Sequence, residues 1–141
     1  MILLDTNVLS ELMRPAPSAA VVGWIGRQPA ASLFISAITE AELRYGLALL
    51  PDGHRQKRLV TQAEAMLAED FAGRILPFDS PAATAYARIA AARRHAGRPI
   101  SQADAQIAAI AASRGASLAT RDVAGFVDCG VDVIDPWNGK S

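Results

Sequence analysis

A mainly parallel α/β fold, four or five strands flanked by helices, follows from three features of this 141-residue sequence. Short apolar runs alternate with longer helical stretches, which is the spacing that βαβ crossovers require. The first run, Ile2-Leu3-Leu4, has no polar alternation and so belongs to a sheet covered on both faces. No stretch rich in glycine or serine divides the chain and no internal repeat interrupts it. Residues 1–141 therefore read as one domain, with a core over Ile2–Pro136 and a short C-terminal tail.

The first strand ends at the polar Asp5-Thr6-Asn7 and feeds a helix that begins near Asn7 and stops before Pro15. Ser18 to Arg27 reads as a second short helix, and Ser32 to Ser36, with Phe34 and Ile35, as the second strand. Thr39 to Leu50 is a helix with Thr39 as its cap, and the Pro51-Asp52-Gly53 turn separates it from a helix over His54 to Asp70. In that helix Leu59, Ala63, Met66 and Leu67 fall at helical spacing. Arg74 to Phe78 is the third strand. Asp79, a good cap before Pro81, opens a helix that Gly97 closes, and Ser101 to Arg114 forms another, closed by Gly115. Ser117 to Thr120 and Val131 to Ile134 supply strands four and five. Alanine runs such as Ala90-Ala91-Ala92 mark good helix formers whose small side chains allow close packing.

Fourteen Lys and Arg balance fourteen Asp and Glu, so any nucleic acid must be held locally rather than by net charge. No apolar run approaches the roughly 18 residues of a membrane span. The start lacks the basic and long apolar regions of a secretory signal, and a cytoplasmic protein is expected. One cysteine, Cys129, makes neither an internal disulfide nor a cysteine zinc site, and His54 and His95 have no ligand spacing. Any metal ligands are therefore oxygens.

Four acids occupy equivalent places: Asp5 after strand one, Glu42 in the first turn of the helix after strand two, Asp104 in the first turn of a later helix, Asp122 after strand four. In a parallel sheet these places share one edge, where open α/β sheets collect ligands. Glu42 falls on an arc with Tyr45, Gly46 and Leu49, expected to face inward, whereas Glu40 points away; Asp104 shares its stripe with Ile107, Ala108 and Ala111. A plainer reading stands beside this one. Thr39-Glu40-Ala41-Glu42 and Ser101-Gln102-Ala103-Asp104 both match a capping box, and Asp5 and Asp122 are ordinary residues for a strand end.

The joint pattern favours a site. Two carboxylates about 5 Å apart repel by roughly 3 kcal/mol at an effective dielectric of about 20, so a cluster of them calls for a positive partner. A hard cation, Mg²⁺ or Mn²⁺, is the simplest, and with acidified water it supports phosphodiester hydrolysis. No glycine-rich phosphate loop, nucleophile elbow or HExxH motif competes.

Leu4-Asp5-Thr6-Asn7, the Thr39–Gly46 segment, the Ser101–Ala108 segment and Leu118-Ala119-Thr120-Arg121-Asp122 together resemble PIN-domain toxins of the VapC family, in particular the FitB-like branch. The resemblance spans nearly the whole chain. It implies a parallel sheet between helices and a Mg²⁺-dependent endoribonuclease, with Mn²⁺ a possible substitute. It also implies a homodimer and inhibition by a small antitoxin that carries a DNA-binding domain. Asp5, Glu42, Asp104 and Asp122 match the family's metal-holding acids. Thr120 matches the small hydroxyl residue before the last acid, where it either bonds a carboxylate or simply ends a strand. Thr6 is a weaker candidate for supporting contacts, and Asn7 either bonds Asp5 or caps the first helix.

Within His54-Arg55-Gln56-Lys57-Arg58, the cations Arg55, Lys57 and Arg58 stand at a helix start, against the dipole, and serve either RNA contact or a solvated face. Arg93-Arg94-His95 suits a last helical turn, and Trp24, Tyr86 and Trp137 are expected in packing. Two other functions fit the same acids: membership of a DNA-bound repressor complex with catalysis secondary, and a metal-dependent DNA nuclease or phosphatase.

Overall fold

Five short strands pair in parallel in the order β3-β2-β1-β4-β5, in a computed structural model that describes residues 1–138. They are β1 (Ile2–Leu4), β2 (Leu33–Ser36), β3 (Ile75–Leu76), β4 (Ser117–Ala119) and β5 (Val133–Ile134). Six α-helices connect or flank them: α1 (Thr6–Leu12), α2 (Ala19–Gly26), α3 (Ala37–Ala48), α4 (His54–Ala65), α5 (Ser80–His95) and α6 (Gln102–Arg114). Residues 139–141, the end of the expected tail, lie outside the described residues.

The apolar first strand is central because it must bury both faces. Leu3 pairs with Phe34 on one side and Leu118 on the other. Its two successive leucines enter different cores, as the alternation of a strand requires. Leu3 and Leu118 pack with Ile89, Ile107, Ile110 and Phe126 under α5 and α6. Leu4 packs with Val8, Leu9, Trp24, Ile35 and Phe71 on the opposite face. The alanines do what small side chains permit: Ala105, Ala108, Ala109 and Ala111 of α6 are all fully buried. Gly115 ends α6 with φ +65°, the left-handed turn that glycine adopts without a Cβ penalty.

β1 spans Ile2–Leu4 as expected, the other four strands are shorter than the sequence suggests, and two helices begin earlier. Asp5, not Asn7, caps α1, accepting from the Thr6 amide. Ser36, not Thr39, caps α3, its Oγ accepting from the Thr39 amide at 2.9 Å. Ser36 is both the last residue of β2 and the cap of α3, and Asp5, the cap of α1, directly follows β1, so no loop intervenes. Glu42 consequently lies in the second turn of α3 and belongs to no capping box. The expected inward arc of α3 is also wrong: Tyr45 and Leu49 are 68% and 66% exposed, and Glu42 is exposed with them. Leu43 is the residue of α3 that fills the core beneath. The helix expected over His54 to Asp70 widens to π geometry at Met66–Asp70.

Trp24 is fully buried, and Tyr86 meets Phe78 edge to face, as packing residues. Arg93 lies in the last turn of α5, as expected, and is only 7% exposed. No helix among the described residues is long and apolar enough to cross a membrane.

Candidate active site

The strand order places the site. From β1 the chain moves outward through β2 and β3 on one side, then returns to lay β4 and β5 on the other. The crevice at such a reversal lies beyond the carboxyl end of the central strand. Asp5 is the first residue past that end.

Asp5 is buried and fully engaged. Its Oδ1 accepts from the Thr6 amide at 2.8 Å and its Oδ2 from the Thr120 hydroxyl at 2.8 Å. Burial pushes its carboxyl above the ordinary range; the Thr120 and Thr6 bonds oppose the rise, and the charges of Asp104 and Glu42 add to it. Thr120 is buried at the centre of the network. Its one proton goes to Asp5, while its oxygen accepts from Asn7 Nδ2 at 3.2 Å and from the Asp122 amide at 3.1 Å. All three of its hydrogen-bonding positions are thus used. Asn7, displaced from the cap by Asp5, also accepts from the Arg121 amide at 3.3 Å.

Glu42 reaches the crevice from α3, where its Oε1 accepts from the Thr6 hydroxyl at 2.7 Å. Thr39 Oγ1 stands 3.1 Å from the same hydroxyl, so Thr39, Thr6 and Glu42 form a chain of hydrogen bonds. Glu40 is turned away and pairs with Arg44 at 3.0 Å. Asp104 is half-buried at the start of α6. Its amide donates to Ser101 Oγ at 3.2 Å, so Ser101 caps the helix. Its carboxyl is raised, first by burial and further by the charges of Glu42 and Asp122, against a lowering by the Ser101 hydroxyl. Asp122 is exposed on the loop after β4, with Oδ1 accepting from the Gly125 amide at 3.1 Å.

All four acids line one open cavity of about 630 Å³, with Asn7, Arg121 and Trp137 on its wall. Among the described residues, no three His, Cys, Asp or Glu side chains converge closely enough to grip an ion together. The donor chemistry nevertheless fits a hydrated divalent cation. Mg²⁺ takes oxygen ligands, uses one or two carboxylates directly and keeps several waters, and a cation among them would offset the like-charge repulsion that adds to the raised carboxyls of Asp5 and Asp104.

Arg55 and Arg58 line a neighbouring cavity of about 530 Å³ that shares Thr6, Arg14 and Glu42 with the acidic one, whereas Lys57 lines neither. Sequence reasoning missed Arg121, whose guanidinium lies 5.1 Å from the centre of the Trp137 ring on the wall of the acidic cavity. The single signal for it was its place beside Asp122.

A sheet with its reversal at β1 and four acids gathered past its carboxyl edge defines an acidic-site α/β protein. The chain belongs to the PIN-domain family, whose model matches residues 2–128. VapC ribonuclease Y4jK of Sinorhizobium fredii is 45% identical over 137 residues, covering 97% of this chain and 98% of that protein. Toxin FitB of Neisseria gonorrhoeae is 45% identical over 138 residues, covering 98% and 99%. The solved structure of FitAB bound to an IR36 DNA fragment superposes with a TM-score of 0.92 at 44% identity, covering 97% of this chain and 96% of that one.

Proposed function

We propose that this chain is the toxin of a toxin-antitoxin pair and an endoribonuclease that depends on Mg²⁺ or Mn²⁺. The observation that carries this reading is the meeting of Asp5, Glu42, Asp104 and Asp122, from four separate segments, on one cavity. The printed names of the relatives, a VapC ribonuclease and a toxin, support it. The four acids would hold the cation, with Thr6 and Thr120 fixing the carboxylates of Asp5 and Glu42 and Asn7 holding Thr120 in place. A divalent ion there supplies Lewis acidity, neutralising phosphate charge and acidifying water.

The chain's own groups do the rest. Asp5 keeps one orientation because both its oxygens are bonded, so the site does not have to order it during the reaction. Glu42 is aimed by Thr6. Asp104, half-buried at the start of α6, presents its carboxylate to the cavity from a helix capped by Ser101. Arg121 stands on Trp137 where an entering phosphate needs a cation, in a cavity otherwise dominated by acids. Arg55 and Arg58 extend a path for the nucleic-acid backbone.

The proposed partner is a small antitoxin with a DNA-binding domain, acting on a homodimer of this chain. An antitoxin Arg or Lys inserted among the four acids would replace the metal's charge and cover its ligands. Membership of a DNA-bound repressor complex is favoured by the DNA-bound FitAB relative and is compatible with catalysis. The test is cleavage by purified protein of matched RNA and DNA strands with Mg²⁺, alone and in competition. RNA cleavage that antitoxin suppresses is expected; preferential DNA cleavage, or none of either, would contradict the reading.

A further inference from the structure

The loop that carries Asp122 is fixed by a buried cation that the chemistry above does not use. Arg93, in the last turn of α5, is 7% exposed, and no salt bridge among the described residues includes it. Backbone carbonyls satisfy it instead. Nη1 donates to Gly125 O at 2.9 Å and to Val127 O at 3.0 Å, and Nε donates to Arg98 O at 2.7 Å. Its one further polar contact among the described residues is from Nη1 to Cys129 Sγ at 3.6 Å. A guanidinium taken out of water with no carboxylate partner tolerates little displacement of these acceptors, because each lost bond leaves a buried charge less compensated.

Gly125 joins this anchor to the acids. Its carbonyl is on Arg93, and its amide donates to Asp122 Oδ1 at 3.1 Å. A Cβ on Gly125 would stand 2.2 Å from Asp122 Oδ2 and 2.7 Å from its Cγ, so only glycine lets the peptide close on the carboxylate. Asp122 is exposed and has no packing of its own to hold it. Without the Gly125 amide its side chain would keep its rotamer freedom and lose a fixed aim at the cavity.

We propose that Arg93 is a positioning residue for Asp122: the guanidinium fixes Gly125, and Gly125 fixes the carboxylate at the acidic cavity. The inference rests on the metal-dependent function proposed above, since the aim of Asp122 matters there through a cation. The role is that of a partner behind a ligand, whose loss typically costs about 10- to 100-fold in metal affinity.

The test measures Mn²⁺ affinity by calorimetry for Arg93→Lys, Arg93→Gln and Gly125→Ala, at a temperature where each is folded by circular dichroism. Gly125→Ala is the selective variant, because the atoms its methyl meets end an exposed side chain that can swing aside. Each is expected to lose about 10- to 100-fold in affinity. None should lose more when made in an Asp122→Asn background, because the anionic ligand they position is already gone. A lowered melting temperature with unchanged Mn²⁺ affinity would overturn the proposal, as would a loss that persists in full beside Asp122→Asn. Failure of both Arg93 variants to fold would overturn it too, making Arg93 a residue of the core alone. Wild type that neither binds Mn²⁺ nor cleaves RNA would instead count against the proposed function. Positioning is then read from the Gly125 amide proton by NMR, which should move in Arg93→Lys as it does in Asp122→Asn; an unmoved resonance would refute it.

Discussion

Each acid of the cavity is held differently, and its substitution should report that difference. Thr120 is the hub: its hydroxyl serves Asp5, Asn7 and Asp122 at once. Thr120→Val keeps the shape and removes all three bonds, and should cost about 1–3 kcal/mol of unfolding free energy in urea, as for a buried polar group left unsatisfied. Thr120→Ser should recover most of it. Asp104 gives the pH test. Its folded carboxyl is raised, so its protonated form favours folding; that stability is full below the ordinary value of 3.8 and is lost as pH rises through the folded value. Without metal, Asp104→Asn should therefore match or exceed wild type in melting temperature at neutral pH. The gap should shrink as pH falls toward 3.8, where the side chain at position 104 becomes neutral in both proteins. A variant less stable than wild type at neutral pH, yet with the full wild-type gain from added magnesium, would leave Asp104 a helix cap. Asp5, Thr120 and Asp122 could be picked out of the sequence by their places just past a strand and Asp104 by its place at a helix start, whereas Glu42 could be picked out only by a first-turn, capping-box place that the fold does not keep. Arg121, Gly125 and Arg93 were illegible there, since a single cation or glycine has no periodicity and its partner is set only by the fold.

At the element scale, most helices could be read from caps and stops, and the misplacements share one cause. Sequence reasoning allots separate residues to strand end and helix cap, whereas Asp5 and Ser36 serve at each junction directly. That is why Glu42 looked like part of a capping box and is not. The two roles separate experimentally. Ser36→Ala should destabilise the fold by about 0.5–2 kcal/mol, the range for loss of a helix N-cap. Glu42→Gln, on an exposed second turn, should leave the melting temperature nearly unchanged while removing most nuclease activity. A large stability loss in Glu42→Gln with activity retained would return Glu42 to a structural role. The exposed face of α3 was misread for a related reason: Tyr45 and Leu49 are apolar residues at helical spacing, and periodicity marks a stripe without saying what covers it.

At the scale of the molecule, one topological fact organises the rest. Because β1 lies at the centre and the chain reverses there, residues more than a hundred positions apart, such as Asp5 and Thr120, come within 2.8 Å. The parallel class was legible from apolar runs between helices; the strand order was not, since short apolar strands do not state their neighbours. On the proposed function, this gathering of acids at the reversal would hold a divalent cation for RNA cleavage. The most direct test is RNA cleavage by highly purified protein across a Mg²⁺ titration, with EDTA and with Asp5→Asn as controls. Activity should rise with Mg²⁺, vanish in EDTA and return on adding Mn²⁺, and Asp5→Asn should be inactive though folded. Undiminished cleavage in EDTA together with an active Asp5→Asn would contradict a metal-dependent role for these acids.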